Sequence, residues 1–214
     1  MKTLVQNLFA SSLFAIVIAS TAFTANASTS ADHSTTLRTP ANGILKVVVK
    51  GNAKVTLVQS EKESVKIIDA YNDEKTSVKM EGGTLVINSY EAYPINITVF
   101  VKNPFRIEAS NTASVQTKGT FNLQFLQVIL KDKASADVNA CTKGLYTQVR
   151  DKANLKLAGS SDEHIIIRSK VAKLQKEAFA CVKTNESYDE FANSSLAIDS
   201  VKTVAVSTEV LKSK

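Results

Sequence analysis

The phrase KDKASADV at residues 131–138 returns as RDKANLKL at 150–157, and a fainter form, SNTASVQT, stands one interval earlier at 110–117. Aligned on a small residue, Ala113, Ala134, Ala153 and Val171 recur at nearly equal intervals. A polar residue stands two positions before each: Asn111, Asp132, Asp151 and Ser169. Apolar residues follow, as Val115, then Ala136 and Val138, then Leu155 and Leu157, then Leu174 one position out of phase. GNAKVTL around Ala53 has the same form. A period of about 20 residues, with short strands and polar turns, marks a β-solenoid whose coils bury their apolar faces only against neighbouring coils. The expected fold is therefore all-β, a right-handed parallel β-helix with a strand-rich N-terminal region. Spacing this loose also admits an antiparallel β-sandwich in which two hairpins happen to look alike.

The rest of the chain carries the same alternation. LKVVVKGNAKVTLV (45–58), SVKIIDA (64–70), TLVINS (84–89) and NITVFV (96–101) place β-branched residues between polar ones. Gly51-Asn52, Asn72-Asp73 and Gly82-Gly83 are turn signals between them. KVAKLQKEAFA (170–180) could be drawn as a helix, yet it falls in phase with the repeat and reads as strand. The stretch 194–211 is expected to supply the last coil and its cap, since an open solenoid end is an unpaired edge.

The N-terminus reads as an export signal. Lys2 precedes an apolar run from Leu8 to Ile18, and Ala25-Asn26-Ala27 is a small-residue cleavage pattern, giving a mature start at Ser28. The run is short for a membrane span of about 20 residues and is interrupted or flanked by Gln6, Asn7, Ser11 and Ser12. No further span is expected in the mature chain, and no cysteine follows the run to mark a lipoprotein. Residues 28–40 are polar and aperiodic and read as a flexible lead-in, leaving 41–214 as a single domain.

Without Lys2 the chain has 25 basic and 20 acidic residues, a formal charge of +5 (26 − 1 − 20). No basic run with interleaved aromatics occurs, so nucleic acid is not an expected partner. A solenoid would stack Lys133 above Lys152, with Lys170 continuing the row and Asp132 and Asp151 beside it. Such a row could bind an anionic glycan or envelope polymer, or be a solvated turn with compensating carboxylates. Cys141 and Cys181 stand two coils apart in this register, roughly 9.6 Å along the stack. A disulfide needs Cα atoms within about 7 Å, so both cysteines are expected to be free. His33 and His164 have no second ligand at metal spacing, and no cofactor motif occurs. Polysaccharide-cleaving chemistry needs clustered carboxylates. Only Asp132 and Asp151 occupy equivalent positions, and each has a lysine next to it.

The order from LKVVVKGNAKVTLV through NITVFVKNPFRIEASNTASV to RDKANLKLAGSSDEHIIIRS resembles the exported bacterial proteins described as "putative auto-transporter adhesin, head GIN domain". The resemblance covers roughly residues 41–205, although the corners here are Asn-Thr-Ala and Asp-Lys-Ala rather than Ser-Gly-Ser-Gly. It implies a parallel β-helix and an exported protein of a Gram-negative bacterium, periplasmic or at the cell surface. The function expected is a non-catalytic envelope binding or adhesion module. The alternatives are a polysaccharide-active β-helix enzyme and a purely structural envelope protein. The sequence specifies no oligomeric state.

Overall fold

Alternating apolar and polar residues build twelve strands over residues 43–189, the part of the chain that the computed structural model describes. The export signal, the lead-in and the stretch 194–211 lie outside the described residues. The strands are β1 (Lys46–Gly51), β2 (Ala53–Gln59), β3 (Ser64–Ile67), β4 (Thr76–Glu81), β5 (Thr84–Ser89) and β6 (Ile95–Val101). They continue as β7 (Arg106–Ala109), β8 (Ser114–Lys118), β9 (Phe121–Leu130), β10 (Ser135–Val149), β11 (Asn154–Arg168) and β12 (Lys173–Tyr188).

All twelve join one sheet, in the order β3-β6-β2-β8-β10-β9-β7-β1-β5-β4, with β11 on β10 and β12 on β11. The long strand β10 is the fold line. Its first residues, Ser135–Asp137, pair with β8, whereas Ala140–Val149 pair with β9. Two flanks spread from it, and the chain passes from one to the other six times, between β1 and β2, β3 and β4, β5 and β6, β6 and β7, β7 and β8, and β8 and β9. Glycines make the tightest of these corners. Gly51 has φ +79°, and a Cβ there would collide with the Ser89 carbonyl oxygen. Within β11, Gly159 has φ +99°, and its Cβ would collide with the Ala140 carbonyl oxygen. Only glycine fits such approaches.

Period-two alternation turns one face of both flanks inward. Val47, Val49, Leu85, Ile87 and Ile107 from one flank join Leu57, Ile97, Val99, Val115 and Leu155 in a single buried cluster. Each fully buried side chain of this kind contributes about 1.5–3 kcal/mol, so the curl of the sheet follows from the need to close one core.

The expected right-handed parallel β-helix is corrected here to a curled mixed sheet, a half-barrel. The regular interval joins only the turns from Asn111 onward. In the stack, β2 sits against β8 with Lys54 opposite Ser114, a step several times the repeat interval. Between them come segments that no repeat unit supplies. Two of these form antiparallel pairs, β3 with β6 and β4 with β5, at the two ends of the sheet path. Two flanks closing on one core bring the fold nearer to a sandwich or barrel than to a helix. It is not an antiparallel one, since the other nine of the eleven strand pairings (11 − 2) are parallel. Parallel stacking of consecutive turns is a local property of the C-terminal strands. The 170–180 segment divides into a turn at 170–171 and the start of β12.

Candidate functional site

The repeated phrases form a column of four turns. In each, the amide of an alanine donates to the carbonyl three residues back. Ala113 donates to Ser110 (3.2 Å), Ala134 to Lys131 (3.1 Å), Ala153 to Arg150 (3.1 Å) and Ala172 to Ser169 (3.3 Å). All four alanines are buried. The fourth member is thus Ala172, not Val171, which is 54% exposed. That one-residue change matters for the lysine row. Lys133 and Lys152 occupy the same turn position, but Val171 continues their row, and Lys170 falls where Asn111, Asp132 and Asp151 stand. All three lysines are exposed.

Asn111, Asp132 and Asp151 have φ of 60°, 59° and 53°, the left-handed conformation that Asn and Asp tolerate better than other side chains. Their side chains link the column. The Gly51 amide donates to Asn111 Oδ1 (3.3 Å), the Asn111 amide to Asp132 Oδ2 (2.8 Å) and the Asp132 amide to Asp151 Oδ2 (3.0 Å). At the fourth turn, Ser169 Oγ donates to the Asp151 carbonyl (2.9 Å). The pair of carboxylates that an enzyme would need is therefore used to cap backbone amides. Among the described residues no group of three or more His, Cys, Asp or Glu side chains could hold a metal ion.

Elsewhere some of the charges are paired. Burial alone would raise the Glu108 carboxyl, but the Lys46 hydrogen bond at 2.9 Å and Arg106 at 3.3 Å hold it below the usual carboxylate range. The Arg168 hydrogen bond at 2.6 Å likewise lowers Glu186, with Lys176 adding to it. His164 is buried, and its Nε2 is 3.0 Å from the Thr147 hydroxyl. Desolvation, reinforced by Lys176, lowers its pKa to about 4. Cys141 lies on β10 and Cys181 on β12, with β11 between them.

A second feature lies where the loop before β7 meets the start of β9. Here a groove of about 470 Å³ is lined by Asn103, Phe105, Asn122, Leu123, Gln124 and Phe125. Phe105 is 42% exposed and Phe125 62%. Opposite Phe125 in the β9–β10 ladder is Gly144, and a Cβ at that position would lie 2.9 Å from the phenyl Cδ1. The missing side chain gives the ring its seat. Gln59 staples the walls together. Its Nε2 donates to the carbonyls of Lys102 (3.2 Å) and Asn122 (3.1 Å), while its Oε1 accepts from the Asn122 amide (3.0 Å). Sequence reasoning passed over this groove. One signal was available: FNLQFLQV (121–128) loses its alternation at Phe125-Leu126, which leaves one phenylalanine outside.

Comparison with known proteins agrees with this architecture. Two crystal structures are similar over most of the chain. A putative adhesin from Bacteroides fragilis NCTC 9343 has a TM-score of 0.57 at 14% identity, covering 68% of this chain and 72% of that one. A putative adhesin from Parabacteroides distasonis ATCC 8503 has a TM-score of 0.54 at 13% identity, covering 72% and 76%. At such identities the likeness concerns the fold alone. No curated protein matches the chain. The family model "Putative auto-transporter adhesin, head GIN domain" matches residues 45–206, which include every described strand and most of the chain, and the protein belongs to that family.

Proposed function

We propose that the protein is an exported, non-catalytic adhesion domain of the bacterial cell envelope. Residues 1–27 serve as its signal peptide, 28–40 as a lead-in and 41–214 as the functional domain. The observation that carries the non-catalytic reading is the use of Asp132 and Asp151. Their carboxylates accept backbone amides from the neighbouring turn, which leaves them poorly placed to act as a general acid and base. Family membership supports the adhesion reading, and the cleavage pattern at Ala25–Ala27 supports export.

The turn column favours a structural use over a polyanion site. An anionic polymer laid along it would meet Lys133 and Lys152 together with Asp132 and Asp151, a charge-balanced strip, and Lys170 stands in the aspartate row. Exposed pairs of this kind contribute about 0–1 kcal/mol.

The test is display of the full chain by a non-adherent Gram-negative host. The mature N-terminus should be Ser28 by Edman sequencing, and displaying cells should attach to bacterial or epithelial surfaces above the empty-vector control. Release of reducing ends from a polysaccharide panel would overturn the non-catalytic reading. Absence of attachment by displaying cells would overturn the adhesion reading.

A further inference from the structure

We infer that the groove between Phe105 and Phe125 is a binding site for a neutral saccharide, one that offers the C–H face of a pyranose ring to the phenyl groups. The inference rests on the adhesion reading and names its ligand class.

Three properties of the groove point to this chemistry. The first is that both phenyl rings are exposed without being accidents of a loose loop. Phe125 lies over Gly144 in a regular ladder. Arg106 stands 5.8 Å from the centroid of Phe105 and is itself fixed by Gln127 at 2.7 Å and Glu108 at 3.3 Å. Aromatic faces carry negative charge density, which suits the polarised C–H bonds of a sugar ring.

The second is the ring of amides. Asn103, Asn122 and Gln124 make no side-chain hydrogen bond within the described residues. Each offers two donors and an acceptor, the combination that matches a hydroxyl edge, where every group both gives and takes a proton.

The third is charge. No ionised side chain lines the groove, and the nearest guanidinium, on Arg106, is neutralised by Glu108. A neutral ligand loses nothing there, whereas an anionic one would find no counter-charge. A volume of about 470 Å³ falls within the range of about 300–1,000 Å³ found for small-molecule sites. The Gln59 staple sets the walls before any ligand arrives, so little ordering is required on binding.

The experiment is titration calorimetry of the full chain with cellotetraose, xylotetraose and chitotetraose, repeated on Phe105→Ala and Phe125→Ala variants. Both rings are partly exposed, so these variants should keep the parent circular dichroism. At least one tetraose is expected to bind, about tenfold or more weaker in Phe125→Ala, as for an aromatic anchor. Affinity should be nearly constant up to roughly 0.5 M salt, since no charge is involved. Failure of all three tetraoses to bind folded protein overturns the inference. So does binding that survives both phenylalanine substitutions, or that Lys133→Glu/Lys152→Glu abolishes instead. Attachment of displaying cells separates the two readings. Cells that attach equally well with Phe125→Ala leave the adhesion domain standing and remove the groove from it. Cells that never attach remove the adhesion reading, while the calorimetry still decides the groove.

Discussion

Asp151 Oδ2 accepts the backbone N–H of Asp132 at 3.0 Å, and both residues hold left-handed backbone. The second aspartate thus fixes the turn of the first, while the next turn meets Asp151 differently, through Ser169 Oγ, which donates to the Asp151 carbonyl. Sequence repetition here records a repeated backbone problem: a positive φ and an amide that needs an acceptor.

Replacing Asp132 tests that link. Asp132→Ala should lose about 1–2 kcal/mol from the left-handed backbone alone, together with the cap on the Asn111 amide. Asp132→Asn should retain most of the stability, because asparagine tolerates the same φ and keeps an acceptor. Urea denaturation of both variants is the measurement; equal midpoints would show that neither backbone nor cap matters.

His164 makes stability depend on pH. Its folded pKa is about 4, below the ordinary 6.5, because burial and Lys176 oppose its charge while Glu186 only partly favours it. Thr147 and Phe179 are its remaining partners. Protonation therefore favours the unfolded chain. The contribution of the neutral ring is fully present above pH 6.5 and is lost as pH falls from there to about 4, up to about 3 kcal/mol in all. The urea midpoint should drop over that window, and His164→Leu should flatten the drop. An unchanged pH profile in His164→Leu would assign the loss to other groups.

Two glycines should differ sharply in their tolerance of a methyl group. Gly159→Ala places a Cβ against the Ala140 backbone in addition to its φ of +99°, so it should cost several kcal/mol or prevent folding. Gly82→Ala has φ +60° but nothing within 4 Å, so only about 1 kcal/mol should be lost. Thermal melts compare the two, and equal losses would argue against close packing at the β10–β11 corner.

The cysteines should remain thiols in an oxidising medium. Cys141 and Cys181 lie on strands separated by β11 and in different columns, opposite Ser160 and Ser161 respectively. Titration of denatured, unreduced protein with a thiol reagent should count two per chain. A count of zero would require a shift of register between these strands.

How much was legible varied along the chain. The alternating runs at 45–58, 64–70, 84–89 and 96–101 contain β1, β2, β3, β5 and nearly all of β6, whereas β4 and β7 lie outside them, and the turn signals at Gly51-Asn52 and Gly82-Gly83 fall where strands end or turn. The repeat located the turns at Asn111, Asp132 and Asp151, because the same φ demands the same residue type. It misplaced the fourth turn, since Val171 and Ala172 are both small and only the hydrogen bond from Ala172 to Ser169 distinguishes them. The groove was hidden for another reason: Gln59, Phe105 and Phe125 are far apart in sequence, and none belongs to a motif.

By itself the sequence determined the all-β class, the positions of most strands and the polar residues at the turns, because these depend on local periodicity and on φ. Tertiary structure decided which strands became neighbours. The pairing of β2 with β8 across all the strands between them in the chain, and the antiparallel strands at both ends of the sheet path, depend on how a single core can be closed. No local signal encodes that, since a strand with one apolar face can satisfy it against any suitable partner.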